Sequence, residues 1–350
     1  MVRRGPGGSP LRHPGGPRSH PTRSVPTPPR RRWRETPARY PRTGRAIHRR
    51  TAVFVPRCTP SLGGVELPAA PRYDGLQHGT GAAVTPAVFL RDGETFIPTE
   101  RALSPWSPSL LHGGPAAGLL ARAVEAWGEG TGLVPARFTF DLFRPVPRLP
   151  LRTEAAPVRV GRRIAVVEAR LLAADELVSR ATAVLLRPKP VDVPPSARFA
   201  PPPFPGPDGL PAAPMAPRIR MPGREGFHTT LEVRRVLVGE PGGGGRAAAW
   251  VRLPCAFVEG EPLSPLVHLA AVSDFANGLA HISAGPETGF INVDITLVLH
   301  RLPAPGWVAI DATSGAEPHG IGAISGQLYD AQGRVGALLQ TLLANPRPAG

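Results

Sequence analysis

The chain has 350 residues, enough for two ordinary domains, and its hydrophobic fraction of 41% is typical of a soluble globular protein. Its net charge of +15 would normally indicate a nucleic acid or another anionic partner, but residues 1–72 hold 16 Arg, no Lys and two acids. The remaining residues are therefore close to neutral, and the charge gives no reason to infer nucleic-acid binding by them. The two Cys, Cys58 and Cys255, form neither a disulfide framework nor a metal-binding spacing, so no metal is indicated.

Residues 1–72 form a basic arm that is rich in Pro and Arg and shows no hydrophobic periodicity. Such a segment cannot bury enough apolar surface to offset the entropy of ordering, which predicts a disordered arm. No apolar run follows its twin arginines, which excludes a secretory signal. A transit peptide fits the Arg content but not the Pro density, and a nucleic-acid tail would have only Trp33 and Tyr40 for stacking. We therefore interpret the arm as an extension without function.

No apolar stretch approaches the roughly 18 residues that a membrane-spanning helix requires. Together with the scarcity of Cys, this predicts a cytoplasmic protein without a membrane span. The single Lys against 40 Arg indicates a GC-rich, bacterial genome. No cofactor is indicated.

After the arm, the chain divides into two blocks, residues 73–186 and 227–345, joined by a Pro-rich linker at 187–226. The linker should be extended and should have no core of its own. Each block contains a helix candidate rich in small residues, at 110–127 in the first and 266–282 in the second. The two blocks therefore begin in a similar way.

Each block also closes with two strands around a turn. Residues 169–186 align with 326–343 without a gap, and the turns fall at Ala173–Glu176 and at Asp330–Gly333. Earlier strands in both blocks show apolar alternation, at Phe138, Phe140 and Leu142 and at Val293, Ile295, Leu297 and Leu299. One helix followed by several antiparallel strands, occurring twice, predicts an α+β fold in which each sheet wraps its own helix.

This pattern resembles the acyl-CoA thioesterase II family and its bacterial thioesterase-like relatives, over about residues 75–345. The resemblance rests on LSPWSPSLLHGGPAAGLLARA and FDLFRPVP in the first block and on SDFANGL, FINVDITLVLHRLPAPGWVAIDA and GIGAISGQLYDAQGRVGALLQTLL in the second. It implies a double hotdog, two antiparallel sheets each wrapped around a central helix. It also implies hydrolysis of an acyl-CoA to free acid and CoA, by a water and without a covalent acyl-enzyme. Whether the double hotdog assembles further into a homo-oligomer is left open.

The resemblance also implies the site residues. The family holds the attacking water with an Asp, a Gln and a Thr, which fall on Asp274, Gln340 and Asn292. The Asn in place of Thr is a departure from the family pattern. An amide has both donors and an acceptor and can still orient a water.

The chemistry itself requires a carboxylate that can take a proton from water and a donor for the developing oxyanion. We expect Asp274 near the start of a small-residue helix, with Gly278 one turn on, to meet both needs. The alternatives are a helix N-cap for Asp274 and an outward-facing strand position for Gln340. In the repeat, Gln340 aligns with Ala183 and Asp274 with about Gly114, so the polar pair occurs once. This asymmetry favours a single active site in the second block.

Four further residues are candidates for substrate binding. His112 could contact the pantetheine arm or polarise a carbonyl, or be a structural histidine. Gly113 and Gly114 resemble the family's Gly-Gly helix start, where backbone donors face the thioester and backbone can approach closely. Arg301, at a strand end, could hold a phosphate of CoA or simply bound the sheet.

Two other functions compete with hydrolysis. The Asn292 departure and the long linker are compatible with an acyl-CoA-binding protein that has lost catalysis. A hotdog hydratase acting on enoyl-CoA needs an Asp–His pair at a fixed spacing near the helix. The nearest histidine along the chain, His281, is seven residues from Asp274, which makes the hydratase the weakest of the three interpretations.

Overall fold

The computed structural model describes residues 86–214, 225–238, 245–285 and 288–346, all within one compact unit, Pro68–Gly350. The arm at 1–72 lies outside these residues. The first half contains one helix, α1, and six strands: α1 Gly113–Gly128, β1 Ala87–Asp92, β2 Thr95–Pro98, β3 Val134–Asp141, β4 Leu151–Val160, β5 Ile164–Ala173 and β6 Glu176–Leu186.

The second half contains three helical segments and eight strands. The helices are α2 Phe227–Thr230, α3 Pro265–Ser273 and α4 Ala276–Leu279. The strands are β7 Glu232–Leu237, β8 Gly245–Arg252, β9 Ala256–Val258, β10 Thr288–Asn292, β11 Asp294–Leu299, β12 Val308–Ala316, β13 Ile321–Asp330 and β14 Gly333–Pro346. Among the described residues, no helix is both long and apolar enough to cross a membrane.

The strand order repeats between the halves. The first half has the order β1-β2-β4-β5-β6-β3 and the second β7-β8-β12-β13-β14-β11, and β3 pairs antiparallel with β11 to join them. At the centre of this joint Thr139 lies opposite Thr296, with the two hydroxyl oxygens 3.3 Å apart. The described strands therefore form one continuous sheet whose two halves repeat the same antiparallel order, with β9 added in parallel beside β1 and β10 paired with β14. The predicted double-hotdog α+β fold is confirmed.

Burial explains why each sheet wraps a helix. In β5 buried and less buried residues alternate, so one face of the strand packs inward, as a half-buried strand requires. In α1 the small residues Ala116, Ala117 and Ala121 are fully buried, which lets the strands approach the helix closely. The two helices also approach each other, since a Cβ on Gly114 would lie 2.3 Å from the carbonyl oxygen of Ala271 in α3. The halves consequently share one continuous core.

The second helix differs from the one predicted over 266–282. Ser264 caps α3 through its hydroxyl and Pro265 occupies the first helical position, which fixes the start. The helix ends at Ser273, and Asp274 is its C-terminal flanking residue. The expectation that Asp274 lies near a helix start, or caps one, is therefore wrong for its own helix. The helix start that meets Asp274 belongs to α1.

The described part of the linker, up to residue 214, is extended and packs on the second half. Phe204 contacts Trp250 and Tyr329 edge-on, and the Trp250 Nε1–H donates to the Pro205 carbonyl at 2.9 Å. Near its end, Ala212 pairs with β7 by a single β-bridge. The linker thus covers an outer sheet face and the edge strand β7, which limits pairing of that edge with another chain.

Candidate active site

A buried carboxylate, Asp274 at the end of α3, is the centre of the candidate site. Asn292, the last residue of β10, donates from Nδ2 to Asp274 Oδ1 at 2.6 Å. His112, which precedes α1, places Nδ1 2.6 Å from Asp274 Oδ2. Three segments that are distant in sequence, two from the second half and one from the first, therefore meet at a single carboxylate.

The proton of His112 can be assigned from these contacts. His112 Nδ1 lies 2.6 Å from Asp274 Oδ2 and 3.3 Å from the backbone nitrogen of Gly114. One nitrogen cannot donate to the first and accept from the second at once. The shorter, charge-assisted contact decides, so Nδ1 carries a proton and donates to Asp274. The Gly114 N–H then also bonds the Asp274 carboxylate, which is within its reach.

These donors set the protonation state of Asp274. Burial by itself raises the pKa of the carboxyl group, because it disfavours the charged form. The charge of His112, when its ring is protonated, and its hydrogen bond oppose this, as do the bonds from Asn292 and the Gly114 N–H. Together they hold the pKa of Asp274 below its usual value. Asp274 is therefore a carboxylate at neutral pH.

The start of α1 approaches this carboxylate as closely as glycine allows. A Cβ on Gly113 would lie 2.8 Å from Asp274 Oδ2, so any side chain there would displace the carboxylate. The free N–H groups and the positive end of the helix dipole face Asp274 at this point. Gly113 therefore lies directly against Asp274, although the two residues come from different halves of the chain.

Gln340 on β14 is buried, which excludes the outward-facing alternative. Its Nε2 donates to the carbonyl of Ser273 at 3.0 Å, beside Asp274. Its Oε1 is buried and has no hydrogen-bond partner among the described residues. A buried acceptor without a partner is costly and marks a place where a water or ligand group would be held.

Gly278 and Arg301 do not share these contacts. Gly278 lies in α4, where a Cβ would meet only Phe275 at the ordinary distance of 3.6 Å, so close backbone approach does not explain the glycine. Arg301 forms a two-pronged pair with the carboxylate of Asp330, at 2.6 Å for the Nη1–Oδ2 contact, and also donates to the Gly333 carbonyl. This pairing favours the structural alternative for Arg301, as a brace of the β13–β14 hairpin.

Three aromatic neighbours of His112 were not identified from the sequence. The ring of Phe275 stacks on His112 at 4.5 Å between centroids, and Phe227 lies 5.9 Å away. His228, next to Phe227, has its pKa lowered to about 4 by burial and then by the charge of His112. Phe275 follows Asp274 directly in SDFANGL and could have been noticed there, whereas nothing in the sequence of α2 indicated a place beside the site.

The Asp–His contact corrects the argument made against a hydratase. The sequence offered His281 as the nearest histidine, but the fold brings His112 of the first half to Asp274 instead. Within the described ranges, no group of three His, Cys, Asp or Glu residues is arranged to hold a metal ion.

The opposite end of the helix pair has a cavity of about 580 Å³. There the start of α3 meets α1: Ser264 Oγ donates to Glu125 at 2.8 Å, and Arg122 pairs with Glu261. Counting from the helix starts, His112 corresponds to Ser264 and Asp274 to Arg122, which corrects the alignment of Asp274 with Gly114.

Comparison with known protein families supports the same division of the chain. Residues 102–186 match the model of the acyl-CoA thioesterase N-terminal domain, and residues 200–344 match that of the acyl-CoA thioesterase C-terminal domain. Together the two matches cover more than half of the chain. The chain belongs to the acyl-CoA thioesterase family. The C-terminal match includes the part of the linker that packs on Trp250 and Tyr329.

Solved structures resemble this family member over most of their length. A protein of Novosphingobium aromaticivorans, provisionally described as a thioesterase, is 21% identical, with a TM-score of 0.54 over 73% of this chain and 98% of that one. A hotdog protein of unknown function from Alicyclobacillus acidocaldarius is 19% identical, with a TM-score of 0.54 over 74% and 96%. The acyl-CoA thioesterase II of Mycobacterium marinum is 17% identical, with a TM-score of 0.51 over 73% and 95%. These structural similarities show that the chain shares the fold of the three proteins. A comparison with curated proteins finds no match.

Proposed function

We propose that the chain hydrolyses acyl-CoA thioesters to the free acid and CoA, with a water activated at Asp274. The observation that carries this proposal is the convergence of three donors on one buried carboxylate, from His112, Gly114 and Asn292. Burying a charged carboxylate costs desolvation free energy, and buried charged groups that are held by several donors are typical of catalytic sites. Family membership supplies the substrate class.

Two acceptor positions beside Asp274 remain for a water. A carboxylate offers about four lone-pair sites, and three donors already occupy Asp274. The remaining site and the unpaired Oε1 of Gln340 would each accept one hydrogen of a bound water. A water held by two acceptors exposes its own lone pair, and that lone pair would attack the thioester carbonyl.

In this proposal Asn292 orients Asp274. Its Nδ2 donates to Oδ1 at 2.6 Å, so the amide replaces the hydrogen bond that a Thr hydroxyl would supply. The departure from the family pattern is therefore compatible with hydrolysis. Gly113 and Gly114 keep side chains away from the carboxylate and the substrate.

The test is release of CoA from acyl-CoAs of several chain lengths, measured with a thiol reagent on the full chain. We expect hydrolysis by the wild type and a loss of about 10²–10⁴-fold in kcat/KM for Asp274→Asn, the range for removal of acid–base catalysis. Gln340→Ala should also lower kcat/KM, because the water loses an acceptor.

Two variants serve as matched controls. Asp294→Asn makes the same change on β11, where Asp294 accepts from the backbone N–H and the hydroxyl of the exposed Thr341. Gln327→Ala removes a Gln of β13 whose Oε1 is also buried and unpaired. Both should keep wild-type release. Full activity of Asp274→Asn and Gln340→Ala alike would overturn the assignment of the site, and binding of acyl-CoA without turnover by the wild type would favour the non-catalytic alternative.

The 2.6 Å contact between His112 and Asp274 gives one specific reason to keep a second candidate, hydration of an enoyl-CoA. Hydration consumes the conjugated double bond and leaves the thioester intact. Incubation with an enoyl-CoA therefore separates the two reactions, because loss of the enoyl absorbance without release of thiol indicates a hydratase. We expect thiol release instead.

A further inference from the structure

The Asp274 carboxylate is held by more donors than a strong proton acceptor should have. His112 Nδ1–H, Asn292 Nδ2–H and the Gly114 N–H all stabilise its charged form. A carboxylate stabilised in this way binds a proton weakly, and general-base efficiency falls with basicity. The proton of an attacking water therefore requires a better acceptor close to Asp274.

His112 has the geometry of such an acceptor. Its Nδ1–H is engaged by Asp274, its ring is stacked on Phe275, and its position is fixed as the residue that precedes α1. In the neutral ring with Nδ1 protonated, Nε2 carries the free lone pair. Within the described ranges no protein group bonds Nε2, and 16% of the side chain is exposed.

We propose that His112 is the general base of the reaction, taking the proton from the water through Nε2, while Asp274 holds the ring and balances its charge. This inference rests on the proposed function and changes the acceptors of the water, which now gives one hydrogen to Gln340 Oε1 and the other to His112 Nε2 instead of to Asp274. Asp274 then activates the water through His112. The pairing follows the physical logic by which a buried carboxylate fixes the tautomer of a catalytic imidazole.

The step balances as follows. An O–H bond of the water breaks as its oxygen bonds the thioester carbon, and the proton moves to His112 Nε2. The imidazolium is stabilised by Asp274. When the tetrahedral intermediate collapses, the carbon–sulfur bond breaks and the departing sulfur takes the proton back from Nε2. The free acid and CoA leave, and His112 is again neutral.

Two titratable groups that interact with His112 have shifted pKa values. They are Asp274 at the end of α3 and His228 of α2. Burial raises the pKa of Asp274, but His112 and the other donors outweigh burial and hold this pKa below its usual value. The pKa of His228 is lowered to about 4. Neither group therefore changes charge near neutral pH.

The experiment compares His112→Asn with wild type across pH, by CoA release from one acyl-CoA that the wild type hydrolyses. Asn is a favoured residue at the position that precedes a helix, so α1 should still begin at Gly113 and the variant should fold. We expect the wild-type kcat/KM to fall on the acid side with an inflection, because a general base that is already protonated cannot take the proton of the water. His112→Asn should lose about 10²–10⁴-fold and lack that inflection. His228→Asn is the matched control and should keep the inflection.

A double variant separates this role from a structural one. If His112 and Asp274 act as one unit, then His112→Asn combined with Asp274→Asn should be no slower than either single variant. A wild-type acid inflection in folded His112→Asn, or additive losses in the double variant, would overturn the inference. Either result leaves the proposed function standing, whereas a wild type that releases no CoA removes the proposed function itself.

Discussion

At one end of the helix pair the start of α1 meets Asp274 of α3, and at the other the start of α3 meets Arg122 and Glu125 of α1. Both places are built by the same backbone elements, since the strand order repeats and both helices begin after a capping residue. The two places differ in their side chains and in the length of the helix, since Asp274 follows the end of α3 whereas Arg122 lies within α1. The comparison therefore separates what the fold supplies from what the residues supply.

The two buried carboxylates respond in opposite ways. Burial raises the pKa of Glu125, and the bond from Ser264 and the charge of Arg122 only partly oppose it, so its pKa remains above the usual value. Burial also acts on Asp274, but there His112, Asn292 and the Gly114 N–H outweigh it. The number of donors, rather than the degree of burial, decides the direction in which the pKa of each carboxyl group is shifted.

The cavity beside Glu125 also differs in its charge. Glu125, Glu129 and Glu261 line it, with Arg122 already paired to Glu261. An acidic lining opposes the phosphates of CoA. At the strand positions that correspond to Asn292 and Gln340, the first half has Pro135 and Ala183, which cannot hold a water. We expect only the Asp274 end to hydrolyse a thioester.

The largest expected effect tests this difference directly. Asp274→Ala should lower kcat/KM for CoA release by about 10²–10⁴-fold, whereas Arg122→Ala at the corresponding position should leave it near wild type. Arg122→Ala loses the pair with Glu261 and the contact with the Phe96 ring, a stability cost of about 1 kcal/mol. Equal loss of activity in both variants would show that the two ends are not functionally distinct.

A smaller effect is expected at the helix starts. Gly113→Ala places a Cβ 2.8 Å from Asp274 Oδ2 and must shift that side chain, which should lower kcat roughly 10- to 100-fold, as displacement of a catalytic group does. The shift should lower the free energy of unfolding only slightly, because the displaced atom lies at the end of a side chain. Pro265→Ala, at the corresponding start of α3, should leave kcat unchanged. Wild-type kcat for Gly113→Ala would mean that the position of the carboxylate is not critical.

The third difference concerns stability alone. His268 of α3 is buried, accepts a bond from the Leu253 N–H at 3.2 Å, and has its pKa lowered to about 4 by burial. The corresponding residue in α1 is Ala116. The unfolded chain binds a proton at His268 below about pH 6.5 and the folded chain does not, so this contribution is fully present above pH 6.5 and is lost towards pH 4.

We therefore expect the free energy of unfolding to fall by up to about 1.4 kcal/mol per pH unit over that window on account of His268. Urea unfolding at several pH values measures this. His268→Gln keeps an acceptor for the Leu253 N–H and should flatten part of the dependence, while His228, whose pKa is also about 4, acts in the same direction. An acid dependence identical to wild type in His268→Gln would exclude His268 as a source.

The sequence by itself determined the repeat and therefore the fold. The repeat is visible in short-range features of the sequence: the apolar alternation in β3 and β11, the turns before Glu176 and Gly333, and the gapless alignment of the two hairpins. Such features depend on neighbouring residues, so they can be recognised without the tertiary structure. The linker was identified by its Pro content. Asp274, Gln340 and Asn292 were chosen through the family resemblance, and the fold brings Asn292 into contact with Asp274 and Gln340 beside it.

The tertiary structure alone decided how the site is assembled. The early end of α3 at Ser273 places Asp274 at a helix terminus where the start of α1, from the other half, supplies His112 and the Gly113–Gly114 backbone. The sequence separation between His112 and Asp274 gives no sign of their 2.6 Å contact, because that distance follows from the antiparallel packing of two helices from different halves of the chain. The ion pair between Arg301 and Asp330 also depends on tertiary structure, because the β13–β14 hairpin places Asp330 beside Arg301.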